Sequence, residues 1–128
     1  METKRMWING EWVEAQSGET REIINPYNQE VIAVVPEGNR EDAKRAIQAA
    51  RKAFDEGPWP HTPAAERGRK LFQVAELIEK NKEELARLET LETGKTLVES
   101  RADMEDIAGV FRYYAGLADK DGGEIIDA

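Results

Sequence analysis

The sequence has no cysteine. That absence excludes disulfides, thiolate metal ligands and thiol nucleophiles together, and a chain without disulfides suits a reducing compartment. Histidine is nearly absent as well: the lone His61 sits in Pro60-His61-Thr62, between turn residues and a helix start. With no second histidine at ligand spacing and no Ser/His/Asp set, it reads as a surface loop residue. Cationic charge is in deficit, 18 Lys+Arg against 26 Asp+Glu, for a formal net charge of −8. A nucleic-acid binder needs a cationic footprint to displace counterions, so that class of partner is excluded. Acidity suits cationic partners instead. No apolar run approaches the roughly 18 residues that a membrane-spanning helix requires, and residues 1–7 lead into no apolar stretch of the signal-peptide kind. A soluble, cytoplasmic chain of one domain's size is expected.

What is present divides into two characters. Met6-Trp7-Ile8 and Glu11-Trp12-Val13 flank Asn9-Gly10, a dipeptide that favours the positive φ angles of a type I′ turn, so a tight hairpin is expected. Residues 21–25 and 31–36 read as strands, with turn chemistry in Pro26-Tyr27-Asn28 between them. From Asn39 onward the pattern becomes helical. Asn39 is placed to cap a helix opening on Arg40-Glu41-Asp42, and Ala43, Ile47, Ala50 and Phe54 share a face. Gly57-Pro58-Trp59-Pro60 stops that helix. Thr62 is then expected to cap the next, with Pro63 in its first turn and Leu71, Val74, Ala75 and Ile78 as its apolar stripe. Asn81 and Glu84 resemble a capping box at a break. Leu85, Leu88 and Leu91 continue to a stop at Gly94. A last helix is expected over 96–120, with Met104, Ile107, Val110, Phe111, Tyr114 and Leu117 facing one way and Asp121-Gly122-Gly123 ending it. The expected fold class is α/β: residues 1–36 β-rich, residues 39–121 helical in three to four helices. Those helices carry apolar stripes that must be buried, and the β-part is small. Their cover is expected beyond residue 128.

Leu91-Glu92-Thr93-Gly94-Lys95-Thr96 ends like a phosphate-binding loop. A Walker A motif needs glycine five residues before its second one, so that backbone N–H groups can wrap a phosphate. That position is Glu89, within a helical pattern where a strand should precede the loop. No G-x-G-x-x-G occurs either, so the dinucleotide fingerprint is missing. Glu99, Asp103 and Asp106 fall at helical spacings of four and three, one face of the last helix. Like charges there repel, and the face reads either as solvated or as a funnel for a cation. Glu41-Asp42, Glu83-Glu84 and Asp119/Asp121 read as capping and solubility rather than as acid/base pairs, which need two environments across a cleft. Tyr113-Tyr114 invites an aromatic cage, but adjacent helical residues point about 100° apart, so one of them belongs to the core. Composition and spacing thus describe an acidic, α-rich segment with a β-rich start and no visible catalytic apparatus.

The motifs in order resemble a known family. Trp7-Ile8-Asn9-Gly10-Glu11-Trp12, Ile24-Asn25-Pro26-Tyr27-Asn28-Gln29-Glu30, the helix over 43–54, Leu88-Glu89-Thr90-Leu91-Glu92-Thr93-Gly94-Lys95 and Arg112-Tyr113-Tyr114-Ala115-Gly116 are similar to the N-terminus of the NAD(P)-dependent aldehyde dehydrogenase superfamily. Residues 102–107 and 113–124 look most like the betaine aldehyde dehydrogenases. The resemblance implies the N-terminal part of a Rossmann-like cofactor domain, in a homo-oligomeric enzyme that oxidises a small aldehyde to its acid. It also implies that the nucleophilic cysteine, the glutamate base and the NAD(P) contacts come later in the family's chain, so this chain alone is expected to be inactive and to bind no cofactor. By the same resemblance, backbone oxygens of Ile23 and Ile24 with the Glu92 carboxylate correspond to an intrasubunit K+ site, although many betaine-type relatives carry Asp where Glu92 stands. Asp103 and Asp106 correspond to acids at the mouth of the aldehyde tunnel. The alternative is a non-enzymatic, α-rich interaction module derived from the same fold.

Overall fold

The computed structural model describes residues 2–120 and 122–126. Its strands are β1 (Glu2–Thr3), β2 (Met6–Ile8), β3 (Glu11–Val13), β4 (Thr20–Ile24) and β5 (Val31–Pro36). Its helices are α1 (Arg40–Glu56), α2 (Ala64–Lys80), α3 (Lys82–Thr93) and α4 (Leu97–Leu117), with a 3-10 turn at Trp59–His61. No described helix is long and apolar enough to cross a membrane. The chain forms two compact units, one from the chain up to Pro60 with Leu88–Lys95, the other from His61–Arg87 with the chain from Thr96 onward.

In the first unit β2 and β3 form the expected hairpin. Asn9 and Gly10 adopt φ of 55° and 80°, the paired positive angles of a type I′ turn. The register sets Trp7 opposite Trp12, and their rings meet edge to face at 4.8 Å on the exposed side. A second sheet has the order β1-β5-β4, with β1 parallel and β4 antiparallel to β5. The β4–β5 ladder shifts register between Ile23 and Ile24, which pair with Ala33 and Val31, so Ile32 is the extra residue of a bulge. Asp42 locks the start of α1. Its carboxylate is buried and accepts Gln16 N–H at both oxygens at 3.1 Å and Asn39 N–H at 3.0 Å. Asn39 Oδ1 in turn accepts the N–H groups of Glu41 and Asp42, completing a capping box. Asp42 is therefore a structural acid and not merely a solubilising one. The shared face of Ala43, Ile47, Ala50 and Phe54 is left uncovered by the described elements, with Ile47 at 69% and Phe54 at 62% exposed.

In the second unit α2 lies against α4. The seam is built of small residues: Gly68 and Ala75 on α2, Ser100, Ala108 and Ala115 on α4, all buried. Gly68 sets the approach, because a Cβ there would lie 2.7 Å from the Ala115 carbonyl oxygen. This seam covers only part of the expected face of α4. Met104 and Phe111 are half-buried, as the pattern requires, but Ile107, Val110, Tyr114 and Leu117 are exposed. Small side chains let the two backbones approach closely, so the bulky ones are left pointing outward. Two caps also differ from expectation. Pro63 occupies the N-cap of α2 with ψ 141° and offers its carbonyl to Glu66 and Arg67, so the helix begins one residue after it. Asn81 breaks α2 from α3, but its Nδ2 donates back to Leu77 O at 2.8 Å and closes the end of α2 rather than capping α3. α4 ends at Leu117, about a turn before the expected stop; Asp121 of that stop lies outside the described residues. Ion pairs tie the flanks: Glu79 takes the Arg112 guanidinium at 2.5 Å on both oxygens, Glu83 takes Arg101 at 2.8 to 3.0 Å, and Lys82 pairs with Glu105.

Two outcomes follow from this unit. Gly68→Ala gains about 1 kcal/mol of helix propensity, but overpacking a tight seam costs about 1–3 kcal/mol. The backbone carbonyl opposite has little room to yield, so a net loss is expected in urea melts, and an unchanged or raised midpoint would contradict the close seam. The second concerns acid. The hydrogen bonds from Arg112 and Arg101 hold the carboxyls of Glu79 and Glu83 below their ordinary value of 4.5. A depressed folded-state pKa means the unfolded chain takes up protons first, so this stabilisation is present above pH 4.5 and is lost as pH falls through the lowered values. Both pairs are exposed, so added salt weakens the effect. Thermal melts across that window are expected to show it, and an Arg101→Met/Arg112→Met double variant to lose it.

Candidate functional site

The Leu91 to Thr96 segment is a helix end followed by a helix start. Thr93 Oγ1 donates to Glu89 O at 2.7 Å and Gly94 N–H to Thr90 O at 3.0 Å, closing the last turn of α3. Gly94 then turns the chain with φ 77°, the left-handed conformation expected of a C′ glycine. Thr96 is the N-cap of α4: its Oγ1 accepts Glu99 N–H at 3.3 Å and donates to Glu99 Oε2 at 2.8 Å, while Thr96 N–H reaches the same carboxylate. The hydroxyl that a phosphate loop would turn to a metal is committed to a helix cap. Glu89 stands 3.7 Å from Lys95 through Oε1, and its Oε2 is buried without a hydrogen-bond partner among the described residues. That carboxylate fills the place where a phosphate would need donors.

Ile23, Ile24 and Glu92 belong to the first unit. Ile23 is half-buried and Ile24 is 46% exposed, at the last rung of β4 where the bulge disrupts the ladder. The turn after them is held by Asn25, which is buried and accepts Tyr27 N–H on Oδ1 at 2.9 Å. Gly94 packs on that turn so closely that a Cβ would lie 3.0 Å from Pro26 Cγ. The end of α3 is thereby brought against the Asn25-Pro26 turn, and Glu92 lies two residues before the contact. Its side chain is exposed and, among the described residues, makes no hydrogen bond or ion pair. No group of three or more acidic or histidine side chains converges among the described residues, so a cation here would rest largely on main-chain oxygens. The bulge was not legible beforehand, since nothing in Val31-Ile32-Ala33 departs from strand pattern. The role of Glu99 was legible, because Thr-x-x-Glu before an apolar run is a capping box.

Asp103 and Asp106 lie on α4 in the second unit, away from the buried seam; Asp103 is half-buried and Asp106 exposed. Glu99, grouped with them by spacing, is occupied by the Thr96 cap. The same helix face continues with Val110 and Tyr113, 55% and 63% exposed, and the rings of Tyr113 and Tyr114 meet edge to face at 5.3 Å. Neither tyrosine is a core residue here, contrary to the expectation that one would be.

Short antiparallel strand pairs followed by four helices are the N-terminal part of an aldehyde-dehydrogenase-like Rossmann fold. The model of the aldehyde dehydrogenase family matches residues 12–128, and the chain belongs to that family. It is 60% identical over 126 residues to the betaine aldehyde dehydrogenase of Bacillus subtilis, covering 98% of this chain and 26% of that protein. It is 50% identical over 125 residues to aldehyde dehydrogenase family 2 member B4, mitochondrial, of Arabidopsis thaliana, covering 97% and 23%. Among solved structures it is similar to the betaine aldehyde dehydrogenase of Staphylococcus aureus in complex with NAD+, with a TM-score of 0.92 and 61% identity over 98% of this chain and 25% of that one. The chain spans about a quarter of the length of these relatives.

Proposed function

We infer that the chain is the N-terminal segment of the cofactor domain of a cytoplasmic, homo-oligomeric NAD(P)-dependent aldehyde dehydrogenase that oxidises a small aldehyde, betaine aldehyde, to glycine betaine. The observation that carries this is the 60% identity, across nearly the whole chain, to a protein named for that substrate. Within the enzyme this segment is scaffold and entrance rather than chemistry. It has no cysteine to attack an aldehyde. Its own helix starts do not suit a dinucleotide either: α1 and α4 open with capping boxes and acidic first turns, which occupy the N–H groups a pyrophosphate needs and repel its charge. NAD(P) is therefore assigned to the rest of such an enzyme, and no step is routed through it here. The exposed Asp106, with Asp103 a turn earlier, is read as the acidic approach for a trimethylammonium aldehyde. The alternative, a non-enzymatic interaction module, draws on the exposed apolar faces of α1 and α4. Reading the gene past codon 128 and assaying both products with betaine aldehyde separates the two. A cysteine-bearing continuation that reduces NAD+, with the 128-residue chain inert, is expected. A stop codon, or turnover by the short chain after repurification, would overturn this reading.

The K+ site rests on the same reading. The disrupted ladder at Ile23/Ile24, the packing of Gly94 on Pro26 and the uncommitted Glu92 carboxylate favour it. Potassium is expected to raise the melting temperature more than an equal concentration of tetramethylammonium, and Glu92→Gln to remove the difference. Equal melting in both salts would sink the assignment.

A further inference from the structure

The β2–β3 turn holds a reactive pair unrelated to aldehyde oxidation. Of the five asparagines, only Asn9 precedes glycine. The other four are engaged. Asn25 is bonded to Tyr27 N–H and precedes Pro26, which has no N–H. Asn28 and Asn39 accept main-chain N–H groups of Glu30 and Glu41, and Asn81 donates to Leu77 O. The Asn9 carboxamide is exposed and makes no hydrogen bond among the described residues. Gly10 has no Cβ to shield its nitrogen, and nothing lies within 4 Å of where one would stand. Asn9 also borders a groove of about 270 Å³ whose other wall on α1 carries Arg45 and Lys52. Both cations are loosely held, at 3.7 Å from Asp42 and 4.0 Å from Glu56.

We propose that Asn9 is a site of spontaneous deamidation, and that the carboxylate it forms is received by Arg45 and Lys52. The Gly10 nitrogen gives its proton to a solvent base and attacks Asn9 Cγ. The new N–Cγ bond forms, the Cγ–Nδ2 bond breaks, and Nδ2 leaves as ammonia with a proton from water. Water then opens the cyclic imide. Cleavage of N–Cγ yields aspartate, and cleavage between the same nitrogen and the residue's main-chain carbonyl carbon yields isoaspartate. No oxidant or reductant enters. The adjacent cations stabilise the anionic tetrahedral intermediate. The turn must open for the attack, and a two-stranded hairpin of three residue pairs is marginal enough to do so. Isoaspartate adds a main-chain carbon, so the type I′ turn and the Trp7–Trp12 register are lost in that product.

The test is incubation of the intact chain in mildly alkaline buffer, with mass mapping of tryptic peptide 6–21. Asn9 is expected to lose its amide first among the five, isoaspartate to accumulate, and tryptophan fluorescence to change in parallel. Lys52→Met is expected to slow the conversion several-fold without altering the melt. Retention of the amide in the folded chain, while the same chain unfolded in urea loses it, would overturn the site. An unchanged rate in Lys52→Met would overturn the part assigned to the cations.

Discussion

The close approach of α2 and α4 is the constraint on which much of the second unit depends. Gly68 admits the Ala115 carbonyl to a distance no side chain would tolerate, and small buried residues, Ala75 on α2 and Ala108 on α4, lie farther along the same two helices. Packing through small residues maximises backbone proximity and leaves the large side chains no room inside. Val110, Tyr113 and Leu117 consequently face outward, in line with Asp103 and Asp106. The Glu79–Arg112 pair ties α2 to α4 beside this seam, and the Glu83–Arg101 pair ties α3 to α4. The face offered outward is thus a consequence of what the seam excludes.

The first unit is organised differently, by main-chain hydrogen bonds gathered onto a few polar side chains. Asp42 collects the loop after β3 and the start of α1 on one buried carboxylate, and Asn25 does the same for the turn after β4. Buried polar groups of this kind are tolerable because their acceptors are matched by N–H donors. Among the described residues Glu89 is the exception, with a buried oxygen lacking a donor three residues before Glu92. The segment that looked like a nucleotide loop is punctuation between two helices, and its Gly94 and Thr96 serve as a helix stop and a cap.

Much of this was legible. The Asn-Gly hairpin, the Asn39 cap, the break at Asn81, the stop at Gly94 and the strand-to-helix change near residue 36 rest on local chemistry, and local chemistry is written in adjacent residues. The resemblance to aldehyde dehydrogenases was legible because its motifs are short runs of adjacent residues that follow one another in a fixed order. The apolar faces of α1 and α4 were legible from spacing, but spacing does not say which of their residues a neighbouring element covers. Spacing alone groups Glu99 with Asp103 and Asp106, whereas the Thr96-x-x-Glu99 capping box, also written in the sequence, commits Glu99 to the start of α4.

By itself, then, the amino-acid sequence determined the main elements, several of their ends and the family. Tertiary structure alone decided which helix face is buried, where the β4–β5 ladder breaks beside Ile24, and that the end of α3 meets the Asn25-Pro26 turn. The physical reason is range. Caps, turns and periodicity act over a few residues, whereas a seam, a bulge or a docked turn depends on which distant surfaces fit together.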